Sequence, residues 1–194
     1  MAGLSLSILG GISEVPAAAW DALLAHEPVA ASPFVRHAFL AAAEESGCAA
    51  PRTGWGPRHL VLRRGATIVA AAPAYRRSDS DGDFGRDWEW AAAAARAGLP
   101  WYPKLVVGVP FTPATGRRFL VAPGEDRPAM VAALVEAARH LCADEGLHGL
   151  HVLFPSADEA RELEAAGLAL RVDFQYHWRN EGYATPEAFL ARFP

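Results

Sequence analysis

Apolar residues recur with two different periods along this chain, and the two periods alternate from one segment to the next. Residues 4–8 alternate with the two-residue period of a strand, whereas residues 130–141 place apolar side chains at the three- and four-residue spacing of a helix. Asp126 and Pro128 supply a start for that helix, and Gly146 follows its end. Repeated switching between these periods predicts an α/β domain.

The other segments continue this alternation in a defined order. The further predicted elements are, in chain order, a helix after Pro16, a helix with Ser32 as its N-cap, a hairpin of residues 58–63 and 67–75, a helix over 88–97, strands over 104–109, 117–122 and 150–154, a helix over 156–163, a strand over 168–178 and a helix opening at Thr185. Residues 76–86 are rich in Ser, Asp and Gly, which predicts an exposed loop. The strict alternation of residues 168–178 predicts a strand with one face in the core.

Length, composition and charge exclude several classes of protein. With 194 residues, 52% of them hydrophobic and 21% charged, the chain has the composition of one globular domain. No apolar run is long enough to span a bilayer, and no Lys or Arg precedes the apolar start as in a signal peptide, so we expect a cytoplasmic protein without a membrane span. The net charge of −4 and the scattered arginines provide no strong signal for nucleic-acid binding.

The order of the predicted elements resembles that of the GNAT (acyl-CoA N-acyltransferase) fold. This resemblance implies an α/β fold with a central, mostly antiparallel mixed sheet flanked by helices. A closer resemblance, to the FemAB-like family of peptidoglycan biosynthesis or recognition proteins, covers nearly the whole chain. The segments that carry it are SPFVRHAFL (32–40), DWEW (87–90), GLPWYPKL (98–105), VPFTPATG (109–116), LHVLF (150–154) and FQYHW (174–178).

Members of the FemAB-like family are longer than this chain. The resemblance therefore implies that residues 1–180 form a GNAT-like domain and that residues 181–194 begin a connecting helix toward a missing C-terminal half. It also implies an acyl- or aminoacyl-transferase that moves an activated acyl group to the amine of a small-molecule or peptide-bearing substrate. The alternative is a non-catalytic half that recognises the substrate while the other half performs the chemistry.

Candidate site residues lie in the segments that carry the resemblance. His177 and Tyr102 are the candidate catalytic residues, because an imidazole or a phenol can move a proton during acyl transfer to an amine. The candidate substrate-binding residues are Arg36, His37, Trp88, Lys104, Thr112, Thr115, Gly116 and Gln175. For most of these positions a purely structural role, as a solvent-facing side chain or a turn residue, is the alternative.

The acyl donor implied by the resemblance is acyl-CoA or aminoacyl-tRNA. GNAT enzymes hold the CoA pyrophosphate on a glycine-containing loop before the long helix, where backbone amides face the phosphates. Residues 121–126 stand at that place, and they do not match the loop and carry two acids. Residues 179–184 match its letters but follow the last predicted strand. These observations count against a CoA site of the usual kind.

Two arrangements of possible metal ligands lack the partners that a metal site needs. His148 and His151 are three residues apart, but no acidic residue or Cys stands at a suitable spacing beside them. Asp79, Asp81 and Asp83 alternate as in a calcium loop, but the Glu that closes such a loop is missing. No metal is predicted.

Overall fold

Eight strands and six α-helices make up the fold within residues 3–26 and 33–193, the part of the chain that the computed structural model describes. The strands are β1 (Leu4–Leu9), β2 (Trp55–Pro57), β3 (His59–Arg64), β4 (Thr67–Ala72), β5 (Ala74–Arg77), β6 (Lys104–Val107), β7 (Leu120–Val121) and β8 (Leu150–Val152). The helices are α1 (Ala17–Asp21), α2 (His37–Glu45), α3 (Trp88–Arg96), α4 (Arg127–Asp144), α5 (Ala157–Ala165) and α6 (Pro186–Leu190). Ser32, the predicted N-cap of the second helix, lies outside the described residues.

The strands form two four-stranded sheets, in the orders β1-β3-β4-β7 and β2-β5-β6-β8. The predicted hairpin is confirmed, and it runs through both sheets, since β2 and β3 pair with β5 and β4 respectively. Pro73 has no N–H to continue a ladder, and the two sheets divide there. Every pairing is antiparallel except that of β6 with β8. The mostly antiparallel, mixed pattern is therefore confirmed, whereas the prediction of one central sheet is wrong.

β6 and β7 act as two halves of one interrupted strand. β6 pairs with β5 and β7 pairs with β4, so both lie on the same side of the long hairpin. Residues 108–119 leave this edge and return to it as a loop that contains Pro110 and Pro113. This excursion brings the loop to the end of β8, where Gly116 bridges to Pro155.

The core has two parts because side chains alternate across the strands. Leu60 and Leu62 of β3 pack with Leu134 of α4 in one apolar cluster, whereas Val61 packs with Trp20 and Leu40 in a second cluster beside α1 and α2. The sheet that contains β3 therefore lies between α4 and the amino-terminal helices, as in a three-layer α/β arrangement.

The long helix α4 begins as the sequence predicts. Asp126 is its N-cap, and its carboxylate accepts a hydrogen bond from the amide of Ala129 at 3.3 Å. α5 follows its N-cap Ser156. The carboxylate of Glu159, in the first turn of α5, accepts hydrogen bonds from the amides of Arg118 at 2.7 Å and Phe119 at 2.9 Å. This buried carboxylate ties α5 to the segment before β7. No helix in the described part is long and apolar enough to cross a membrane.

Two further sequence predictions differ from the structure. Residues 76–86 are exposed only in part, because the side chains of Arg77, Ser80 and Asp83 are buried. Burial is possible because each of these polar groups finds a charged or hydrogen-bonding partner inside the protein. Residues 168–178 form no strand, and apart from Leu168 their large apolar side chains are exposed rather than in the core. Alternation alone cannot form a ladder when no neighbouring strand lies at hydrogen-bonding distance.

A partly buried carboxylate connects α2 to the hairpin. Glu44 accepts hydrogen bonds from the amide of Ile12 at 2.8 Å and from the hydroxyl of Tyr75 at 3.2 Å. The amide of Ala74 donates to Nδ1 of His59 at 3.1 Å, so Nε2 of His59 carries the proton and donates to Glu44 at 2.8 Å. Burial raises the pKa of Glu44, but the hydrogen bonds from His59, Ile12 and Tyr75 outweigh it and lower the pKa.

We therefore predict that Glu44 stabilises the fold in a pH-dependent way. A carboxyl group whose pKa is lower in the folded chain contributes stability above its unfolded pKa, and that contribution is lost as the pH falls through the folded pKa. The Glu44→Gln variant should be less stable than the wild type at pH 7, and the difference should shrink below pH 4.5, the unperturbed value. Urea unfolding followed by tryptophan fluorescence measures it. The Glu45→Gln variant of the exposed neighbour is the control, and a difference that does not change with pH would contradict the prediction.

Candidate functional site

A buried lysine organises one end of the second sheet. The ammonium group of Lys104, on β6, lies 2.7 Å from the hydroxyl of Ser80, 3.1 Å from Asp83 Oδ2 and 2.5 Å from Asp87 Oδ2. Lys104 is only 1% exposed, and both aspartates are also buried. A lysine remains charged in such a place only where carboxylates compensate for its lost hydration, so the three charges must be buried together.

Asp87 is ionised, and only one of its two carboxylate oxygens is hydrogen-bonded within the described part of the chain. Burial raises its pKa, but hydrogen bonds from Lys104, Ser80 and Trp101 outweigh this effect and lower the pKa to about 2. Oδ2 accepts from Trp101 Nε1 at 2.9 Å in addition to Lys104. Oδ1 is buried and has no hydrogen-bond partner within the described part of the chain.

Arg77 holds the acidic loop that contains Asp79 and Asp81. Its guanidinium donates to the carbonyl oxygens of Gly54 and Asp81, both at 2.6 Å, and pairs with Asp79 at 3.2 Å. It also lies over the ring of Trp55, with 3.6 Å from Cζ to the ring centroid. Arg77 and Lys104 together therefore turn the acidic loop inward.

A cleft of about 1220 Å³ opens beside this cluster. Its walls are residues 84–86, residues 150–155, residues 168–177 and the indole rings of Trp90 and Trp101. The two indoles stack, with ring centroids 6.5 Å apart and an interplanar angle of 20°. Lys104 also borders the cleft. An apolar cleft with a few polar groups at its edges has the usual character of a ligand site.

His151 of β8 presents a neutral imidazole to the cleft. Burial, followed by the charge of Lys104, lowers its pKa to about 4. Its ring meets the edge of Trp101, with centroids 5.6 Å apart. At neutral pH this imidazole can therefore donate or accept a hydrogen bond without carrying charge.

Residues 168–178, which we call the strap, form the outer wall of the cleft. Side chains on the polar side of the strap hold it in place, since Arg171 donates to the carbonyl of Arg86 at 2.9 Å and Gln175 donates to the carbonyl of Pro113 at 2.5 Å. Asp173 lies 3.8 Å from Arg86 and 4.0 Å from Arg171. Two guanidinium groups thus share one carboxylate, and the carboxylate of Glu164 also lines the cleft.

Backbone strain is concentrated at the same place. Phe84, Arg86 and Phe154 line the cleft and have φ values of 56°, 49° and 52°. Residues other than glycine rarely adopt this left-handed backbone conformation, and those that do are more frequent at functional sites. Gly82 has a φ of 76°, and a Cβ atom there would lie 2.4 Å from the ring of Phe111, so only glycine allows the two loops to meet.

Several predicted site residues come together at the cleft. Lys104, Thr115, Gln175 and His177 line it. Tyr102 connects to the cleft only through other residues. Its hydroxyl lies 2.7 Å from the Ser80 hydroxyl, which also contacts Lys104. Gly116 connects to the inner wall, since its amide donates to the carbonyl of Phe154 at 3.0 Å.

The other predicted site residues do not line the cleft. Arg36 lies 4.0 Å from Asp21, and the ring of His37 contacts the carbonyl oxygens of Ile12 and Val15 at 3.1 and 3.0 Å. Thr112 donates to the carbonyl of Pro110 within its own loop at 2.9 Å. Trp88 is exposed on α3, whereas Trp90, two residues on, reaches the cleft.

The sequence reasoning missed Asp83, Asp87, Trp101 and His151 as parts of one site. Asp87 and Trp101 stand in segments that carry the family resemblance, which is the signal that pointed toward them. Asp83 gave no such signal, because it was read as part of a solvated acidic loop. His151 also stands in such a segment, 150–154, but its spacing from His148 suggested only a metal ligand.

The two possible phosphate loops have their amides or charges already occupied. Before α4, the carboxylate of Asp126 caps the helix, and Glu125 pairs with Arg64 at 2.9 Å. After the strap, the side chain of Asn180 accepts from the amides of Gly182 at 3.0 Å and Tyr183 at 2.7 Å. Side chains of the chain itself thus already accept from amides in or beside both segments. Among residues 3–26 and 33–193, no group of three His, Cys, Asp or Glu side chains lies close enough together to hold a metal ion.

These features define a mixed α/β protein whose cleft is lined by aromatic rings, a neutral imidazole and paired charges. Residues 11–194 match the FemAB-like family, which is described as peptidoglycan biosynthesis/recognition. The match covers nearly the whole chain, so the chain belongs to the FemAB-like family, as the resemblance implied. The comparison with curated proteins gave no match.

We predict that Lys104 is essential for the stability of the cleft. The Lys104→Met variant leaves Asp83 and Asp87 buried without a cation, which should lower the free energy of unfolding by about 3–5 kcal/mol. Arg58→Met, which breaks the more exposed pair of Arg58 with Glu145, is the control and should cost less than about 1 kcal/mol. Urea unfolding at pH 7 measures both variants. Equal and small losses would show that the buried cluster is not the constraint described here.

Proposed function

We propose that this chain binds a peptide-bearing ligand of the peptidoglycan type in the cleft and serves acyl or aminoacyl transfer to an amine of that ligand. The family description supports the peptidoglycan part of the proposal. The cleft supports the binding part, because it combines apolar walls, a neutral imidazole and guanidinium groups beside carboxylates. A peptide that carries carboxylates fits such a surface.

The single observation that carries the proposal is the position of the cleft. It lies where the buried Lys104 cluster, the free side of β8 and the strap meet, and most segments that carry the family resemblance contribute to it. A ligand bound there would contact three separate parts of the chain, of which the Lys104 cluster is held by buried polar interactions and the strap by exposed ones. Such positioning is what acyl transfer requires of an acceptor site.

We further propose that the fold is of the GNAT kind. The order of strands and helices, the antiparallel hairpin and the parallel pairing of β6 with β8 support this relation. The donor would then be acyl-CoA or aminoacyl-tRNA. The occupied amides near Asp126 and Asn180 favour an acceptor-recognition role for this chain, with the donor bound elsewhere.

A second candidate function is that this chain performs the transfer itself. The amine nitrogen of the acceptor would attack the carbonyl carbon of the donor, the thioester or ester bond would break, and the thiol or hydroxyl would leave with a proton. His177 lines the cleft and would take the proton from the amine. Tyr102 reaches the cleft only through Ser80 and would act by positioning.

We predict that the charge of Arg171 contributes to ligand binding. Arg171→Gln should weaken the binding of a soluble N-acetylmuramyl pentapeptide roughly 3- to 10-fold, because one of the two guanidinium groups near Asp173 is lost. Arg161→Gln, an exposed arginine on α5 that pairs with Asp158, is the matched control and should bind like the wild type. Isothermal titration calorimetry measures all three proteins. Failure of the wild type to bind would overturn the proposed function.

The two candidate functions differ in the role of His177. If this chain performs the transfer, His177→Gln should lower the rate of acyl transfer from acetyl-CoA or aminoacyl-tRNA by about 100-fold or more, with binding of the muramyl peptide unchanged. If the chain only recognises the acceptor, neither donor should yield product with the wild type. Product analysis by mass spectrometry, combined with calorimetry, separates the two.

A further inference from the structure

We infer that the stacked indole rings of Trp90 and Trp101 form a binding site for an ammonium group of the ligand. This inference rests on the proposed function, which requires a ligand that carries an amine, and it assigns the part of the cleft that recognises the amine in its protonated form. The ring faces would hold the cation, and the excess negative charge of the buried Lys104 cluster would attract it. Three observations support the inference.

The first observation is that Trp90 is exposed and takes no part in the core. It lies on α3, a helix without a buried residue, and it is 57% exposed. Its ring stacks on that of Trp101, and both rings line the cleft. The face of a tryptophan ring attracts a cation more strongly than that of any other aromatic side chain. Two such rings in one wall of a cleft therefore provide a surface suited to a cation.

The second observation is the hydrogen bond that holds Trp101. Its Nε1 donates to Oδ2 of Asp87 at 2.9 Å. Hydrogen bonds in a buried site polarise the groups that make them, so donation to an ionised carboxylate increases the electron density of the indole ring. The ring of His151 meets Trp101 at an interplanar angle of 84°, and burial lowers the pKa of His151 to about 4. This third ring is therefore neutral at pH 7 and does not repel a bound cation.

The third observation is the charge of the buried cluster. It contains two carboxylates, those of Asp83 and Asp87, but only one ammonium group, that of Lys104. The nearby guanidinium of Arg77 has its own ion pair, with Asp79 at 3.2 Å. Oδ1 of Asp87 is buried and accepts no hydrogen bond within the described residues. Because the cluster is almost fully buried, water and salt screen its excess negative charge only weakly.

The other charged side chains of the cleft balance one another. Arg86 and Arg171 lie 3.8 and 4.0 Å from Asp173, and all three line the cleft. Glu164 lines it as well. Apart from Lys104 and the histidines, the cleft is therefore lined by two guanidinium groups and two carboxylates. The excess charge is that of the buried cluster, and its sign favours a cation.

The first experiment compares ligands that differ only at the amine. Soluble N-acetylmuramyl pentapeptides that carry lysine, norleucine or trimethyllysine at the same position are titrated into the wild-type chain by calorimetry. Norleucine removes the charge, whereas trimethyllysine keeps the charge and removes every N–H donor. The norleucine peptide should bind about 3- to 30-fold more weakly than the lysine peptide. The trimethyllysine peptide should bind within about 3-fold of the lysine peptide, because attraction to a ring face needs a charge and not a hydrogen bond.

Two tryptophan variants test the position of the site. Trp88 lies on the same helix as Trp90 and is 55% exposed, but the structure places it outside the cleft. Trp90→Leu should reduce the preference for the lysine peptide over the norleucine peptide to less than about 2-fold, whereas Trp88→Leu should leave it unchanged. Neither side chain belongs to the core, so both variants should fold, and thermal unfolding checks this.

A third arm needs no peptide. Choline and its neutral isostere 3,3-dimethylbutan-1-ol are titrated into the wild type and Trp90→Leu, and binding is followed by tryptophan fluorescence. The wild type should prefer choline, because the two molecules differ in charge and hardly in shape. Trp90→Leu should lose this preference.

The outcomes separate the inference from the proposed function. Equal binding of the lysine and norleucine peptides by the wild type overturns the inference and leaves the proposed ligand intact. A preference for lysine that survives in Trp90→Leu, or that trimethylation abolishes, places the amine at a carboxylate such as Glu164 and also overturns it. If no pentapeptide binds, the proposed function fails. The choline arm then decides the inference alone, since a preference for choline that depends on Trp90 supports the ammonium site and the absence of such a preference overturns it.

Discussion

The burial of one ammonium group sets the arrangement of the whole cleft. Lys104 extends from the first residue of β6 into the protein, and its charge can be accommodated only if carboxylates are buried with it. Asp83 and Asp87 supply them, so the acidic segment between β5 and α3 must fold back over the sheet. This in turn places Trp101 beside Asp87 and fixes the side of the sheet on which the cleft opens.

The division of the strands into two sheets has a related consequence. β6 pairs with β5 and β7 pairs with β4 on the same side of the hairpin. The intervening residues 108–119 must therefore leave this edge and return to it. Arg118 closes this excursion, since its guanidinium donates to the carbonyl of Leu153 at 2.8 Å. The carbonyl of Gly116, two residues before Arg118, accepts a hydrogen bond from the amide of Ser156 at 3.1 Å. These contacts tie the loop of residues 108–119 to the end of β8.

Most of the secondary structure could be predicted from the sequence, because short-range chemistry determines it. The N-caps Asp126 and Ser156 and the alternation in β1 and β3 mark elements that the fold contains. The burial of Asp83 could not be predicted, because its partner Lys104 is distant in sequence and no local pattern identifies such a pair. The strap failed as a predicted strand for the same reason, since a ladder needs a partner that the period of two cannot supply.

The candidate site was predictable only in part. Lys104, Gln175 and His177 were found through segments that carry the family resemblance, and they line the cleft. Arg36 and His37 lie in another such segment, but they contact Asp21 and the backbone near Ile12 instead. A family segment thus identifies residues that matter to the fold or the site without distinguishing the two, and only the tertiary contacts make that distinction.

The exposed side chains of the strap also limit what can bind strongly in the cleft. Covering Val172 and Tyr176, which are 82% and 89% exposed, would contribute roughly 3–6 kcal/mol. Association of two molecules costs about 4–15 kcal/mol, so this contact alone yields little net affinity. Each main-chain hydrogen bond adds only about 0.5–1.5 kcal/mol, so backbone pairing alone is also insufficient. A ligand of the cleft must therefore combine the exposed apolar side chains of the strap with other walls of the cleft, such as the stacked indoles of Trp90 and Trp101.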